Sequence, residues 1–323
     1  MIFYVAKTES FSSKMEKILI MNRYGSLKTV NPLATYMTEK ESDSLVVLRE
    51  DPCKYVMNAR DLGGMPVGDG KMTRFGRFIR GGRLYKLKEK GVEILRKLGV
   101  SKVIDLRMDE ECREKPDSDV EGIEYMRIPL VCTATAGITH GKSIAKIMFR
   151  ESRRIKHDFK NVDEYMGSVY ENILFSEDTQ AALRRFFDVI LSNNDGCVLF
   201  HCAGGKDRAG LCAMLIEGLL GVGEDVIVFD YKYSRRAGKR KRHWSKLGLT
   251  VLPFPRRFRA ILFGMMNAKE SYILYALNAV KERYGSIENY CREALGITDE
   301  QIKAFREANL VEVPASVPAS AQN

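Results

Sequence analysis

The stretch that decides the fold is Cys197-Val198-Leu199-Phe200-His201-Cys202-Ala203-Gly204-Gly205-Lys206-Asp207-Arg208-Ala209-Gly210, followed by the almost wholly apolar run Leu211–Leu220. Four consecutive apolar residues, Cys197 to Phe200, suit a short strand covered on both faces. Leu211–Leu220 is apolar nearly all round, as a buried helix is. Strand, glycine loop and buried helix together predict an α/β fold.

The loop carries the chemistry. Cys202 and Arg208 bracket five residues, among them Gly204 and Gly205, which let the backbone curl so that successive N–H groups point inward. A helix starting near Ala209 would add its positive dipole end, and the result is an anion cradle. Arg208 can fork two donors onto phosphate oxygens, which lysine cannot do. The amides that bind phosphate also favour a thiolate, which makes Cys202 an activated nucleophile. In-line attack on phosphorus would give a phosphocysteine that water then hydrolyses. Ala203, Gly204, Gly205 and Lys206 are the expected substrate-binding residues. His201 is expected to orient the loop, a role compatible with that of an ordinary buried histidine. The leaving oxygen needs a proton, and Asp207 is the nearest carboxylate in sequence. Asp158 and Asp163 compete for that role, and spacing does not choose among the three. A Cys-x5-Arg pattern alone also describes a core cysteine with a surface arginine, so its surroundings matter.

Outward from the loop, residues 1–50 show no sustained period and read as a weakly structured extension, with a short helix expected over 14–22. From Asn58, glycines at 63, 64, 68, 70, 76, 81 and 82 punctuate short runs, as in tight turns and hairpins. Leu87–Leu98 has helical spacing with Gly99 as its stop, and Lys102–Leu106 reads as the next buried strand. Glu124–Leu130 is another expected strand. Helices are expected over Val162–Phe175 and Asp178–Ser192, then a turn at Asn193-Asn194-Asp195-Gly196. Three short helices fit 269–310, and 311–323 reads as a disordered Pro/Ala/Ser tail. The expected catalytic domain is 51–310.

Composition is that of a globular chain, 45% hydrophobic and 29% charged, without an apolar run near the roughly 18 residues of a membrane span. No signal-peptide core precedes Lys7, so the chain reads as cytoplasmic, which leaves non-classical secretion open. Seven cysteines, an odd number without any CxxC, point to reduced thiols rather than a disulfide or zinc framework. Cys197 and Cys212 are most simply core residues. The net charge of +10 favours polyanionic partners. Basic clusters at 235–236, 239–242 and 256–259 are either a solvated face or a contact with an anionic membrane surface. Nucleic acid is not expected as a partner. Ala136–Ser143 superficially fits a phosphate-binding P-loop, but Ala136 replaces its first glycine and no strand abuts it, so it reads as a plain loop.

His201-Cys202 through Arg208 resembles the signature loop of the protein tyrosine phosphatases. The Gly205-Lys206-Asp207-Arg208 core is similar to that of bacterial atypical members that also accept phosphoserine, phosphothreonine and phosphoinositides. Asn58-Ala59-Arg60-Asp61-Leu62-Gly63-Gly64 resembles their N-terminal motif, in which Asn58, Arg60 and Asp61 are the marked residues. Ile104-Asp105-Leu106-Arg107, Asp230-Tyr231 with Ser234, and the segments Tyr284–Tyr290 and Leu295–Thr298 are similar to later motifs. The resemblance implies a phosphotyrosine-phosphatase-like fold, a small and mostly parallel central sheet flanked by helices, with no cofactor and no metal. It implies a phosphorylated protein or phosphoinositide as substrate. One residue departs: the family usually has Ser or Thr where this chain has Ala209. Slow turnover, or a phosphate-binding pseudophosphatase, is the alternative that follows.

Overall fold

The computed structural model describes residues 55–130, 161–193, 196–237, 264 and 267–312. Its strands are β1 (Arg60–Asp61), β2 (Pro66–Gly68), β3 (Lys71–Thr73), β4 (Phe78–Gly82), β5 (Val100–Asp105), β6 (Glu124–Arg127), β7 (Cys197–Cys202) and β8 (Leu310–Glu312). Its helices are α1 (Glu89–Lys97), α2 (Asp109–Glu114), α3 (Val162–Phe175), α4 (Glu177–Ser192), α5 (Arg208–Leu219), α6 (Glu224–Ala237), α7 (Glu270–Tyr284), α8 (Ile287–Glu293) and α9 (Asp299–Asn309).

β7 is the centre of a five-stranded sheet ordered β1-β4-β7-β5-β6, parallel except for the edge pair β1–β4. Its side chains alternate between two apolar layers. Cys197 and Leu199 join Ile79, Val103, Ile94 and Leu95 on the α1 side. Val198 and Phe200 join Phe78, Ile104 and the bundle α3–α9 on the other. A central strand with both faces covered must be apolar throughout, which explains the unbroken run read from the sequence. α5 lies inside the bundle and is buried at every position but Gly218, where Ile287 of α8 packs so closely that a Cβ would meet it at 2.4 Å. The fold is therefore the expected mixed α/β arrangement with a mainly parallel sheet flanked by helices.

Local signals set the helix ends. Asn161 caps α3 by accepting from Asp163 N and Glu164 N, and Ser286 caps α8 by accepting from Asn289 N. Thr298 and Gln301 form a reciprocal capping box on α9, and Gly285 ends α7 at φ +76°. Several boundaries differ from expectation. β5 runs from Val100 to Asp105, not from Lys102 to Leu106, while α5 starts at Arg208, beside the expected Ala209. β6 stops at Arg127, although Ile128 N and Leu130 N go on bonding Asp105 O and Leu106 O. Val311 and Glu312, assigned to the tail, instead complete β8, which pairs with β3 in a second sheet ordered β2-β3-β8. A three-residue edge strand is defined by its partner, not by a period of its own. The expected helix at 14–22, the loop at 136–143 and the basic clusters at 239–242 and 256–259 lie outside the described residues.

The glycine loop touches the sheet backbone. Gly205 sits at φ +64°, and a Cβ there would lie 2.5 Å from Gly81 C and O. Gly204 has open space around the same point. Gly205→Ala should therefore lower stability by about 2–4 kcal/mol, while Gly204→Ala stays within about 0.5 kcal/mol. Urea unfolding of the two variants tests this contrast, which equal midpoints would refute.

Candidate active site

Cys202, Asp105 and Gly82 are the last residues of neighbouring parallel strands, with Gly82 opposite Cys202 and Asp105 opposite His201. The site thus occupies the carboxyl edge of the sheet, where the chain leaves each strand and turns toward a helix. Cys202 is 2% exposed.

Side chains from distant segments hold the loop by its carbonyl groups. Arg83 Nη1 donates to Ala203 O at 3.3 Å. Asn58 Nδ2 donates to Gly204 O at 3.2 Å and Gly205 O at 2.7 Å. Arg80 donates from Nε to Gly205 O at 3.1 Å and from Nη2 to Lys206 O at 2.9 Å. Four consecutive carbonyls are therefore bonded to surrounding side chains. No peptide among the described residues is cis, and in a trans peptide N–H points opposite to C=O. The amides of Gly204, Gly205, Lys206 and Asp207 are accordingly turned the other way, into the loop. These donors are themselves anchored. Asp230 of α6 accepts from Arg60 Nε at 2.7 Å and Arg80 Nη1 at 2.5 Å, while Arg60 Nη1 donates to Asn58 Oδ1 at 2.9 Å. Gly210 makes room, since a Cβ there would meet Arg80 Nη2 at 2.7 Å. The Asn58 and Arg60 of the N-terminal motif thus meet Asp230 and Ser234 of the later one behind the loop, with Ser234 Oγ accepting from Arg60 Nη2 at 3.1 Å. Asp61 serves the adjoining turns instead, accepting from Gly63 N and Gly76 N.

Arg208 opens α5 and is buried against Glu111 of α2. Its Nη1 and Nη2 donate to Glu111 Oε2 and Oε1 at 2.6 and 2.8 Å. This fork fixes the guanidinium plane while taking two of its five N–H donors. Burial, the largest single influence, pushes the Glu111 carboxyl up, but Arg208, the Met108 amide and the Arg107 charge together outweigh it and leave it below the usual range. Beside it, Asp105 and Asp117 share Arg107, whose Nη2 donates to both at 2.8 and 2.6 Å. His201 is fully buried, with Nε2 3.1 Å from Asp117 Oδ2 and Nδ1 3.4 Å from Cys202 O. Ligand atoms of Asp105, Asp117 and His201 converge within 4.8 Å, the spacing of a metal site, but the Arg107 cation already lies between the two carboxylates.

Asp207 lies 19% exposed beside Lys206, whose Nζ is 3.3 Å from Asp207 Oδ1 and donates to Asn267 O at 2.8 Å. Of the competing carboxylates, Asp163 is engaged at the start of α3 by Lys269 Nζ and Ser271 Oγ, and Asp158 lies outside the described residues. The loop residues named from the sequence are therefore brought together, as are Asn58 and Arg60. Sequence reading missed Arg80, Arg83, Glu111 and Asp117. Arg80 alone left a local trace, a charged residue inside an otherwise apolar strand.

The Asp105–Arg107 pair generates a pH prediction. Burial is the largest single influence on the Asp105 carboxyl and pushes it up, but the hydrogen bonds to Arg107, the neighbouring His201, the Arg107 charge and the Cys112 thiol together outweigh it and bring it down to about 2 from 3.8. A carboxyl depressed by folding stabilises the native state above its unfolded value, and that contribution disappears as pH falls through the folded one. Stability worth roughly 2–3 kcal/mol should thus be lost between about pH 4 and 2. Asp105→Asn should be less stable at neutral pH and show a flatter decline over that window in urea titrations.

Residues 52–312 match the tyrosine phosphatase family. A Cupriavidus necator protein named as a tyrosine-protein phosphatase is 28% identical over 253 residues, 77% of this chain and 85% of its own. The triple specificity protein phosphatase PtpB of Mycobacterium tuberculosis is 26% identical over 254 residues, 72% of this chain and 90% of its own. A tyrosine-protein phosphatase of Nostoc commune is 26% identical over 246 residues, 71% of this chain and 72% of its own. Similarity that runs from the first hairpin to β8, on a sheet whose carboxyl edge bears an inward-facing amide loop between Cys202 and Arg208, places the chain in the tyrosine phosphatase family, as a phosphatase acting on phosphorylated substrates.

Proposed function

We propose that the chain hydrolyses phosphate monoesters through a phosphocysteine intermediate, with Cys202 as nucleophile, Arg208 as phosphate clamp and Asp207 as general acid. The observation that carries this reading is the set of four loop carbonyls bonded from behind by Arg83, Asn58 and Arg80. It preorganises N–H groups toward the three equatorial oxygens of a transferring phosphoryl group, so little reorganisation is needed as charge develops. The Cys202 sulfur forms a bond to phosphorus, the ester P–O bond breaks, and the Asp207 proton passes to the leaving oxygen. Water then attacks phosphorus, gives its proton to Asp207 and breaks the S–P bond to release phosphate. Ala203, Gly204, Gly205 and Lys206 line the cradle with backbone, and His201 orients it.

Phosphotyrosine in protein is the first substrate class, with phosphoserine, phosphothreonine and phosphoinositides as extensions. PtpB's name, triple specificity protein phosphatase, supports breadth. Lys206 is less suited to a second phosphate than its position suggests, because Asn267 O and Asp207 already engage it. Arg83, half-buried beside the loop, is the better-placed cation. Burial, followed by the charge of Arg107, lowers its pKa, while Cys202 is among the groups that oppose this.

Purified chain in chelator should release phosphate from p-nitrophenyl phosphate, and Cys202→Ser should abolish this. Activity that survives the substitution overturns the covalent mechanism. A second reading is carried by Ala209, wholly buried and without a hydroxyl at the start of α5. Tight phosphate-ester binding without turnover would make the chain a substrate trap. A hydroxyl at 209 should speed breakdown of the phosphocysteine, so Ala209→Thr is expected to raise kcat several-fold. Since threonine adds two heavy atoms to a packed site, at a cost of about 1–3 kcal/mol, Ala209→Ser is the gentler companion. An unchanged or lower kcat in folded variants refutes the role of the missing hydroxyl.

A further inference from the structure

Two tyrosines stand behind Asp207 with no part in the steps above. Tyr170 of α3 and Tyr231 of α6 are both buried, one at 0% and the other at 1% exposure. Tyr170 Oη donates to Asp207 Oδ1 at 2.5 Å and lies 2.6 Å from Tyr231 Oη. A phenol has a single proton. With that of Tyr170 directed at the carboxylate, Tyr231 supplies the bond between the two hydroxyls. Burial pushes both phenols well above their ordinary range, so they stay protonated donors.

The carboxylate is held in an unusual way for its position. Asp207 is the N-cap of α5, where aspartate commonly accepts the helix's own first N–H groups, yet its side chain makes no capping bond. It turns to Tyr170 instead. Lys206 Nζ also approaches Oδ1, at 3.3 Å. Among the described residues Oδ2 receives no hydrogen bond, so one oxygen is held and the other is left to carry a proton.

We infer that Tyr170 is a positioning residue for the acid step, holding Asp207 by Oδ1 so that the transferable proton resides on Oδ2, with Tyr231 polarising the Tyr170 hydroxyl from behind. The chain Tyr231→Tyr170→Asp207 strengthens each link cooperatively in a dry interior. This inference rests on Asp207 being the general acid, and its test separates the two. p-Nitrophenolate leaves with little proton assistance, whereas phenolate, more basic, depends on it. The readout is the ratio of kcat/KM for p-nitrophenyl phosphate to that for phenyl phosphate, with Ki for inorganic phosphate as the measure of the cradle.

Tyr170→Phe keeps the ring and deletes the hydroxyl. It should enlarge the ratio about tenfold, with Ki for phosphate kept within about twofold, and Asp207→Asn should enlarge it about a hundredfold. Tyr231→Phe, which leaves the Tyr170–Asp207 bond in place, should enlarge it by a smaller factor, and it keeps the idea testable should Tyr170→Phe fold poorly. A wild-type ratio in both tyrosine variants, alongside an enlarged one in Asp207→Asn, overturns the positioning role alone. Equal losses on both esters overturn it as well, since they mark a packing role. A wild-type ratio in Asp207→Asn overturns the acid assignment and the inference with it.

Discussion

The constraint on which the site depends is the orientation of four carbonyl groups. A peptide plane is rigid, so a side chain that pulls a carbonyl one way pushes the next amide the other way. Arg83, Asn58 and Arg80 do this along Ala203–Lys206. Gly205 makes it geometrically feasible, because its backbone lies against Gly81 with no space for a Cβ. The orientation of the loop's amides is therefore a property of its outer contacts as much as of its own residues.

Those contacts tie the site to the whole fold through buried ions. Arg60 and Arg80 meet Asp230 of α6, Arg208 meets Glu111 of α2, and Arg107 joins Asp105 of β5 to Asp117. Breaking one such pair leaves a buried charge uncompensated, which costs about 3–5 kcal/mol, while the intact pair gains little over well-packed apolar residues of the same volume. Their value lies in geometry. Each cation has one permitted position, set by a carboxylate from a different element, so the guanidinium groups stay where the loop and its ligand need them. Tyr170 extends the same logic to Asp207, with a neutral donor in place of an ion.

Much of this was legible in the chain itself. Cys197–Phe200 and Leu211–Leu220 announced a strand and helix buried on all sides, and Cys202, the glycines and Arg208 between them marked the loop on which the proposed function rests. Asn161, Ser286, Thr298 and Gly285 close their helices through bonds made within a few residues, a local signal that the sequence reading did not use. Other features left no such mark. Glu111 lies in Asp109–Glu114, a run so charged that it reads as a solvated face, and Tyr170 has the spacing of an ordinary core aromatic. β8 is three residues long and needs β3 to be a strand.

By itself, then, the sequence determined what is encoded over short separations: apolar period, caps, turns, and the residues of a loop that spans from Cys202 to Arg208. These are local because backbone geometry and helix ends respond to neighbours a few positions away. Only the tertiary structure decided which side chains complete the loop. Asn58 and Gly205 are 147 positions apart, Arg80 and Asp230 150, and Arg208 and Glu111 97. Pairings at such separations have no periodic signature, since they arise where the carboxyl ends of parallel strands converge, and that convergence exists only once the sheet has formed.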